Sequence, residues 1–184
     1  MQYPVQVPAV TVFEALRDLD LHLAEEVRRL GCPHCGGPLH RSPWQRKPRG
    51  APLSLPESCC TRRGLCCGWC RRRTLPPSTL FCGRHVYLKA VLLLVVAARQ
   101  GTLAAASLGR LQQLFGVDRR TIARWMKVFW ARLTASVAWG RARGRLPPGV
   151  RDADVPRGLF ELLFNENPDL NGTLTRICQL VPQL

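Results

Sequence analysis

Apolar residues recur at spacings of three and four through residues 12–30, "VFEALRDLDLHLAEEVRRL". Phe13, Leu16, Leu19, Leu23, Val27 and Leu30 share one face, which predicts an amphipathic helix. Thr11 is placed to cap its start, with Glu14 at the capping-box position, and Gly31 is placed to end it. The run 86–98, "VYLKAVLLLVVAA", is apolar on every side except for Lys89. A membrane span needs roughly 20 apolar residues, so this run predicts a helix buried inside a protein. Helical period returns in 103–115, "LAAASLGRLQQLF", breaks at "GVD", and resumes in 119–133, "RRTIARWMKVFWARL". Residues 134–149 continue as basic, tryptophan-containing helix or coil. The tail holds two further apolar helical pieces, "GLFELLF" and "LTRICQLV".

Between the first helix and the apolar run, 31–83 has no helical period and is rich in Cys, Gly, Pro and Arg. Within it 41–58, "RSPWQRKPRGAPLSLPES", carries four prolines and reads as an extended, basic, mobile arm that loops out. The pattern gives a mainly α fold with a small β element. It divides into an N-terminal helix (1–30), a cysteine-rich segment with its arm (31–83), a helical domain (84–149) and a helical tail (150–184).

Charge changes the picture. Of 184 residues 27 are Lys or Arg and 12 are Asp or Glu, a formal net charge of +15. The excess is local: 41–73 has nine basic residues and one acid, Glu57, and 119–145 has eight and none. Stretches of one sign imply a polyanionic partner, because neutralised phosphates release counterions. Double-stranded DNA is the expected partner, with RNA as the alternative. No charged, apolar, small-residue secretory pattern opens the chain. It therefore reads as cytoplasmic, or nucleoid-associated in a bacterium, with no membrane partner and with its thiols reduced.

Nine cysteines in a reducing compartment point to metal. Cys32 and Cys35 form one C-x2-C, and Cys67 and Cys70 a second. Two such pairs suit a tetrahedral thiolate site for Zn²⁺, each pair folding into a knuckle whose amides face sulfur, with Gly36 or Gly37 closing the first turn. The gap of 31 residues between the pairs exceeds the usual ribbon spacing of about 15–20. Cys66 competes with Cys67 for the third position, and Cys59 and Cys60 are further candidates. His34 and His40 are weak ones, and Cys178 reads as core. A Zn(Cys)4 centre carries charge −2, which the adjacent Arg71, Arg72 and Arg73 offset while remaining available to phosphate.

The stretch 108–127, "LGRLQQLFGVDRRTIARWMK", fits a helix-turn-helix. Leu111, Phe115, Val117, Ile122 and Trp125 supply its core, Gly116 its turn, and Asp118 the cap of the second helix. The exposed face then carries Arg119, Arg120, Thr121, Arg124 and Lys127, where a recognition helix meets the major groove. Gln112 stands where a small residue usually lets the two helices approach. Trp125, Trp130 and Trp139 read as core, and Trp44 as the exposed aromatic.

The run of Cys67, Cys70, Thr74, Thr79 and Phe81, an apolar helix, then Leu114, Gly116, Val117, Thr121 and Trp125 resembles the N-terminal region of zinc-ribbon insertion-sequence transposases, over about 30–134. The resemblance implies a zinc ribbon followed by a helix-turn-helix, and DNA of a mobile element as the target. In that family a nuclease domain with three acidic ligands follows. Here 41–145 holds only Glu57 and Asp118, so converging catalytic carboxylates are not expected and the chain reads as a DNA-binding protein without catalysis. A protein-interaction subunit of a transposase or transcription complex is the alternative, with a separate transposase as its partner.

Overall fold

A computed structural model describes residues 4–82, 87–100, 107–132, 139–140, 143–144, 148 and 150–180. The protein is mainly helical with a small antiparallel sheet. Helix α1 runs Val10–Leu30, α2 Lys89–Arg99, α3 Leu108–Phe115, α4 Arg119–Arg132, α5 Arg157–Glu166 and α6 Leu170–Leu180. Strands β1 (Leu39–Arg41), β2 (Trp44–Gln45), β3 (Thr61–Arg62), β4 (Leu65–Cys67) and β5 (Arg73–Thr74) lie between α1 and α2.

The apolar run forms the centre. Every side chain of α2 from Lys89 to Ala98 is buried, and α4, α5 and α6 pack around it. An apolar surface on all sides leaves a helix no stable place except an interior. One core cluster joins Phe13, Leu80, Leu93, Phe115, Trp125, Phe160 and Leu174, so the N-terminal helix and the tail share it with α2. Lys89 is fully buried and donates to the Ser78 carbonyl at 2.6 Å. Burial lowers its pKa by disfavouring the ammonium ion.

Helix α1 departs from expectation at its start and in which residues it buries. It starts at Val10 with Ala9 as its cap, and no side chain caps it, so Thr11 is not the cap. Its buried face is Val12, Phe13, Leu16 and Asp20, while Leu30 is exposed. Asp20 takes an inward position because the segment after β5 needs an acceptor. It accepts from the Thr79 amide at 2.6 Å and hydroxyl at 3.0 Å, and from the Ser78 hydroxyl. A buried carboxylate needs such donors to offset its desolvation. Gly31 ends the helix with φ of 80°, as expected of a C-terminal glycine.

The arm is paired rather than looped out along its first part. β1 pairs antiparallel with β4 (Leu39↔Cys67, His40↔Cys66, Arg41↔Leu65) and β2 with β3 (Trp44↔Arg62, Gln45↔Thr61). The two pairings share one register, and bonds from Ser42 to the Gly64 carbonyl and from Arg46 to the Cys60 carbonyl continue it. Residues 39–46 and 60–67 thus form a single ladder, which carries the long gap between the cysteine pairs as a hairpin. β5 adds to β4, with Leu65↔Thr74 and Cys66↔Arg73. The hairpin's far end reaches the helical core. Gly50 has φ of 76°, and a Cβ there would lie 3.0 Å from Val91 and 3.1 Å from Trp125. Only glycine combines that backbone with so close an approach.

The tail helices follow the pattern closely. α6 begins at Leu170, where Asp169 accepts from the amides of Asn171 and Gly172, an N-cap that extends the helix back through "NG". The expected continuation over 134–149, and the segment 103–106 before α3, lie largely outside the described residues.

Candidate functional site: a four-cysteine centre and a cationic cleft

The β1–β4 register sets the two C-x2-C turns side by side. The Cys32 amide donates to the Gly37 carbonyl at 2.9 Å, and the Cys67 amide to the Arg72 carbonyl at 3.0 Å, so both knuckles close with the same bond. In each, the residue after the second cysteine is left-handed: Gly36 with φ of 72° and Arg71 with φ of 60°. Gly68 of the second knuckle donates to Pro38 beyond the first. The sulfurs of Cys32, Cys35, Cys67 and Cys70 all lie within 4.8 Å of one another. Cys32 faces Cys70 at 3.7 Å and Cys35 faces Cys67 at 3.5 Å. A tetrahedral ion with bonds of about 2.3 Å holds its sulfurs roughly 3.8 Å apart. Four cysteines are therefore arranged to hold a metal ion, and the donor set is compatible with zinc.

The local electrostatics favour the thiolate at Cys67 and oppose it at Cys70. Burial opposes ionisation of Cys67, but the amides of Cys70 and Trp69, each 3.4 Å from its sulfur, outweigh it and bring the thiol down to about 6. At Cys70 the Arg72 amide favours the thiolate, yet desolvation and the neighbouring sulfurs push it up to about 12. Unshielded sulfur anions so close cannot all form, and a cation among them removes that conflict.

The third place in the four-cysteine cluster belongs to Cys67. Cys66 lies in the same strand with the opposite facing, and its thiol points at the Arg71 carbonyl 3.6 Å away. Cys59 is buried in the main core and Cys178 beneath α2, and neither Cys59 nor Cys60 joins the cluster. His34 and His40 are exposed and lie outside it. His34 instead contacts Arg72 at 3.3 Å. Arg71, Arg72 and Arg73 are all exposed.

A second constellation lies on α3 and α4. Ser107 caps α3 by accepting from the Arg110 amide. Gly116 ends the helix with φ of 59°, and Leu111, Phe115, Val117, Ile122 and Trp125 are buried. Asp118 accepts from the Thr121 amide at 2.7 Å and hydroxyl at 2.9 Å. Those bonds hold its carboxyl below the usual range, since they favour the charged form.

Arg119, Arg120, Arg124 and Lys127 are exposed as expected, but Thr121 is not. It is buried, its hydroxyl held between Asp118 and Arg49, so its place is in the cap rather than on the open face. Arg49, from the hairpin's far end, donates to the Thr121 hydroxyl at 3.3 Å, and its backbone bridges to Tyr87. Tyr87 stacks edge-on against Trp125, ring centroids 5.4 Å apart, and bonds Arg124. Arg49, Gln112, Asp118, Arg119, Arg120 and Arg124 thereby line one cleft. Gln112 stands at the cleft rather than between two close helices.

Sequence reasoning missed Arg49, which lies 72 positions from Thr121. The one local signal was Gly50 beside it, directly after the proline and charges of "RKPR". It also misplaced the exposed aromatic. Trp44 is half-buried, with Gly64 beneath its ring and Arg46 over it. Trp125 and Trp139 are buried and Trp130 half-buried. Trp69, inside the second knuckle, is the exposed one at 71%.

Fold and site define a mainly helical protein in which a small antiparallel sheet carries a four-cysteine centre able to hold a metal ion. No protein-family model, no curated protein and no solved structure matches the chain. Among the described residues no helix is long and apolar enough to cross a membrane.

Proposed function

We propose that the protein is a zinc-dependent DNA-binding protein without catalytic activity, built from a zinc ribbon and a helix-turn-helix. Its origin would be that of the DNA-binding half of an insertion-sequence transposase. The observation that carries this reading is the cleft at the start of α4. Four arginines, Arg49, Arg119, Arg120 and Arg124, line it together. The one acid among them, Asp118, is engaged by Thr121 and so leaves the cleft cationic.

Each part then has a physical role. Four thiolates in a tetrahedral set suit zinc over harder cations, and the ion would staple a sheet too small to hold its own core. Cys32, Cys35, Cys67 and Cys70 would hold it. Arg120 and Arg124, near the start of a helix with an open face, would read base edges in the major groove, where Arg bonds guanine bidentately. Arg119, Lys127, Arg49 and the knuckle residues Arg71, Arg72 and Arg73 would meet phosphates. The sequence resemblance supports the same assignment through the order of its motifs.

Gel shifts over a salt series test the reading. Affinity for duplex DNA should fall steeply as salt rises. Arg120→Ala and Arg124→Ala should weaken binding about 5- to 100-fold and relax sequence preference, whereas Arg72→Ala should weaken all sequences alike and reduce the salt slope by about one. Binding that ignores salt, or that survives loss of both Arg120 and Arg124, would exclude it.

A further inference from the structure

The exposed indole of Trp69 has no part in the centre or in the cleft. It is 71% exposed, yet it has a contact on each knuckle. Its amide donates to the Cys67 sulfur at 3.4 Å, and its ring rests on Gly37, where a Cβ would come within 2.7 Å of ring atoms. Gly37 of the first knuckle therefore backs one side of the ring, and most of the indole is open to solvent. Cations follow it along the chain. Arg71, Arg72 and Arg73 follow directly and are exposed, and Arg72 leans on His34 at 3.3 Å. From Arg41 to Arg73 the only acid is Glu57.

We infer that Trp69 is a stacking platform for an unpaired nucleobase, and that the knuckle face binds single-stranded nucleic acid at a site separate from the α4 cleft. A large exposed aromatic in a cationic field matches a polymer that carries flat π-faces and negative charge together. In a duplex the base faces are hidden in the stack, so this platform is of use only to a frayed, looped or single strand. Stacking supplies affinity that does not depend on counterion release, and the three arginines supply the part that does. The contact with Gly37 limits the ring positions open to Trp69 before binding, which lowers the entropy cost of ordering it.

The test uses the full chain as purified and a fluorescein-labelled oligo(dT) of 15 nucleotides, with a duplex of equal length alongside, read by anisotropy across a salt series. Trp69→Ala should weaken oligo(dT) binding about 5- to 100-fold with an unchanged salt slope, and leave duplex binding within about twofold. Trp69→Phe should retain most of the single-strand affinity. Equal metal content and circular dichroism in the variants guard against a folding defect. An unchanged oligo(dT) affinity in Trp69→Ala overturns the inference, as does an equal loss for both ligands. Failure here with intact duplex binding leaves the DNA-binding proposal standing. A wild-type protein that ignores duplex DNA but loses oligo(dT) with Trp69→Ala sinks that proposal and keeps this one.

Discussion

Gly36 and Arg71 occupy the same place in the two knuckles, and both are left-handed, with φ of 72° and 60°. Only one of them is a glycine. A side chain in that region costs about 1 kcal/mol, so the second knuckle carries a strain that the first avoids. Gly36→Ala and Arg71→Gly should therefore act in opposite directions. Gly36→Ala should lose about 1 kcal/mol. Arg71→Gly should gain roughly half that, since glycine also frees the unfolded chain. Thermal melting at fixed zinc concentration reads both. A lower midpoint for Arg71→Gly would mean that its side chain contributes more to the knuckle than its backbone costs. At this scale the sequence was legible wherever chemistry has a short signature. The C-x2-C pairs, the Asp118 cap and the Gly116 turn all declare themselves within five residues. Asp20 and Lys89 do not, because their partners near Ser78 lie 58 and 11 positions away.

Among the elements, the helices were legible and the hairpin was not. A helix of ten residues repeats its pattern nearly three times, and α2, α4 and α5 stand close to where the period puts them. Strands of two or three residues, interrupted by proline, repeat nothing. Their register is set by the knuckles at one end and by Gly50 at the other. This makes Gly50 the best probe of the element. Gly50→Val would force a Cβ to about 3 Å from Val91 and Trp125 and prise the far end from the core. The expected cost is about 2 kcal/mol, with faster tryptic cleavage after Arg49. The α4 cleft should weaken for DNA in step, because Arg49 leaves it. Unaltered cleavage would show that the hairpin does not rely on that contact.

For the molecule as a whole, one core spans α1 to α6, and its buried thiols tie stability to alkaline pH. Burial pushes Cys178 up to about 12 from 9.0. The folded state therefore holds this proton more tightly than the unfolded state, and stability falls as pH rises from about 9 towards 12. At pH 10.5 the loss from this group is about 2 kcal/mol. Cys178→Ala should start less stable at pH 8, through its lost packing, and then decline less between pH 8 and 10.5, as denaturant midpoints would record. A decline equal to wild type would assign the alkaline loss to other groups.

The centre that joins the two halves of the hairpin bears most of the account, and metal content tests it directly. Elemental analysis of the purified full chain should find one zinc per molecule. It should persist in Cys66→Ser and fall away in Cys32→Ser, Cys35→Ser, Cys67→Ser and Cys70→Ser. A folded chain free of metal, or one that keeps its zinc when Cys67 is replaced, would contradict it.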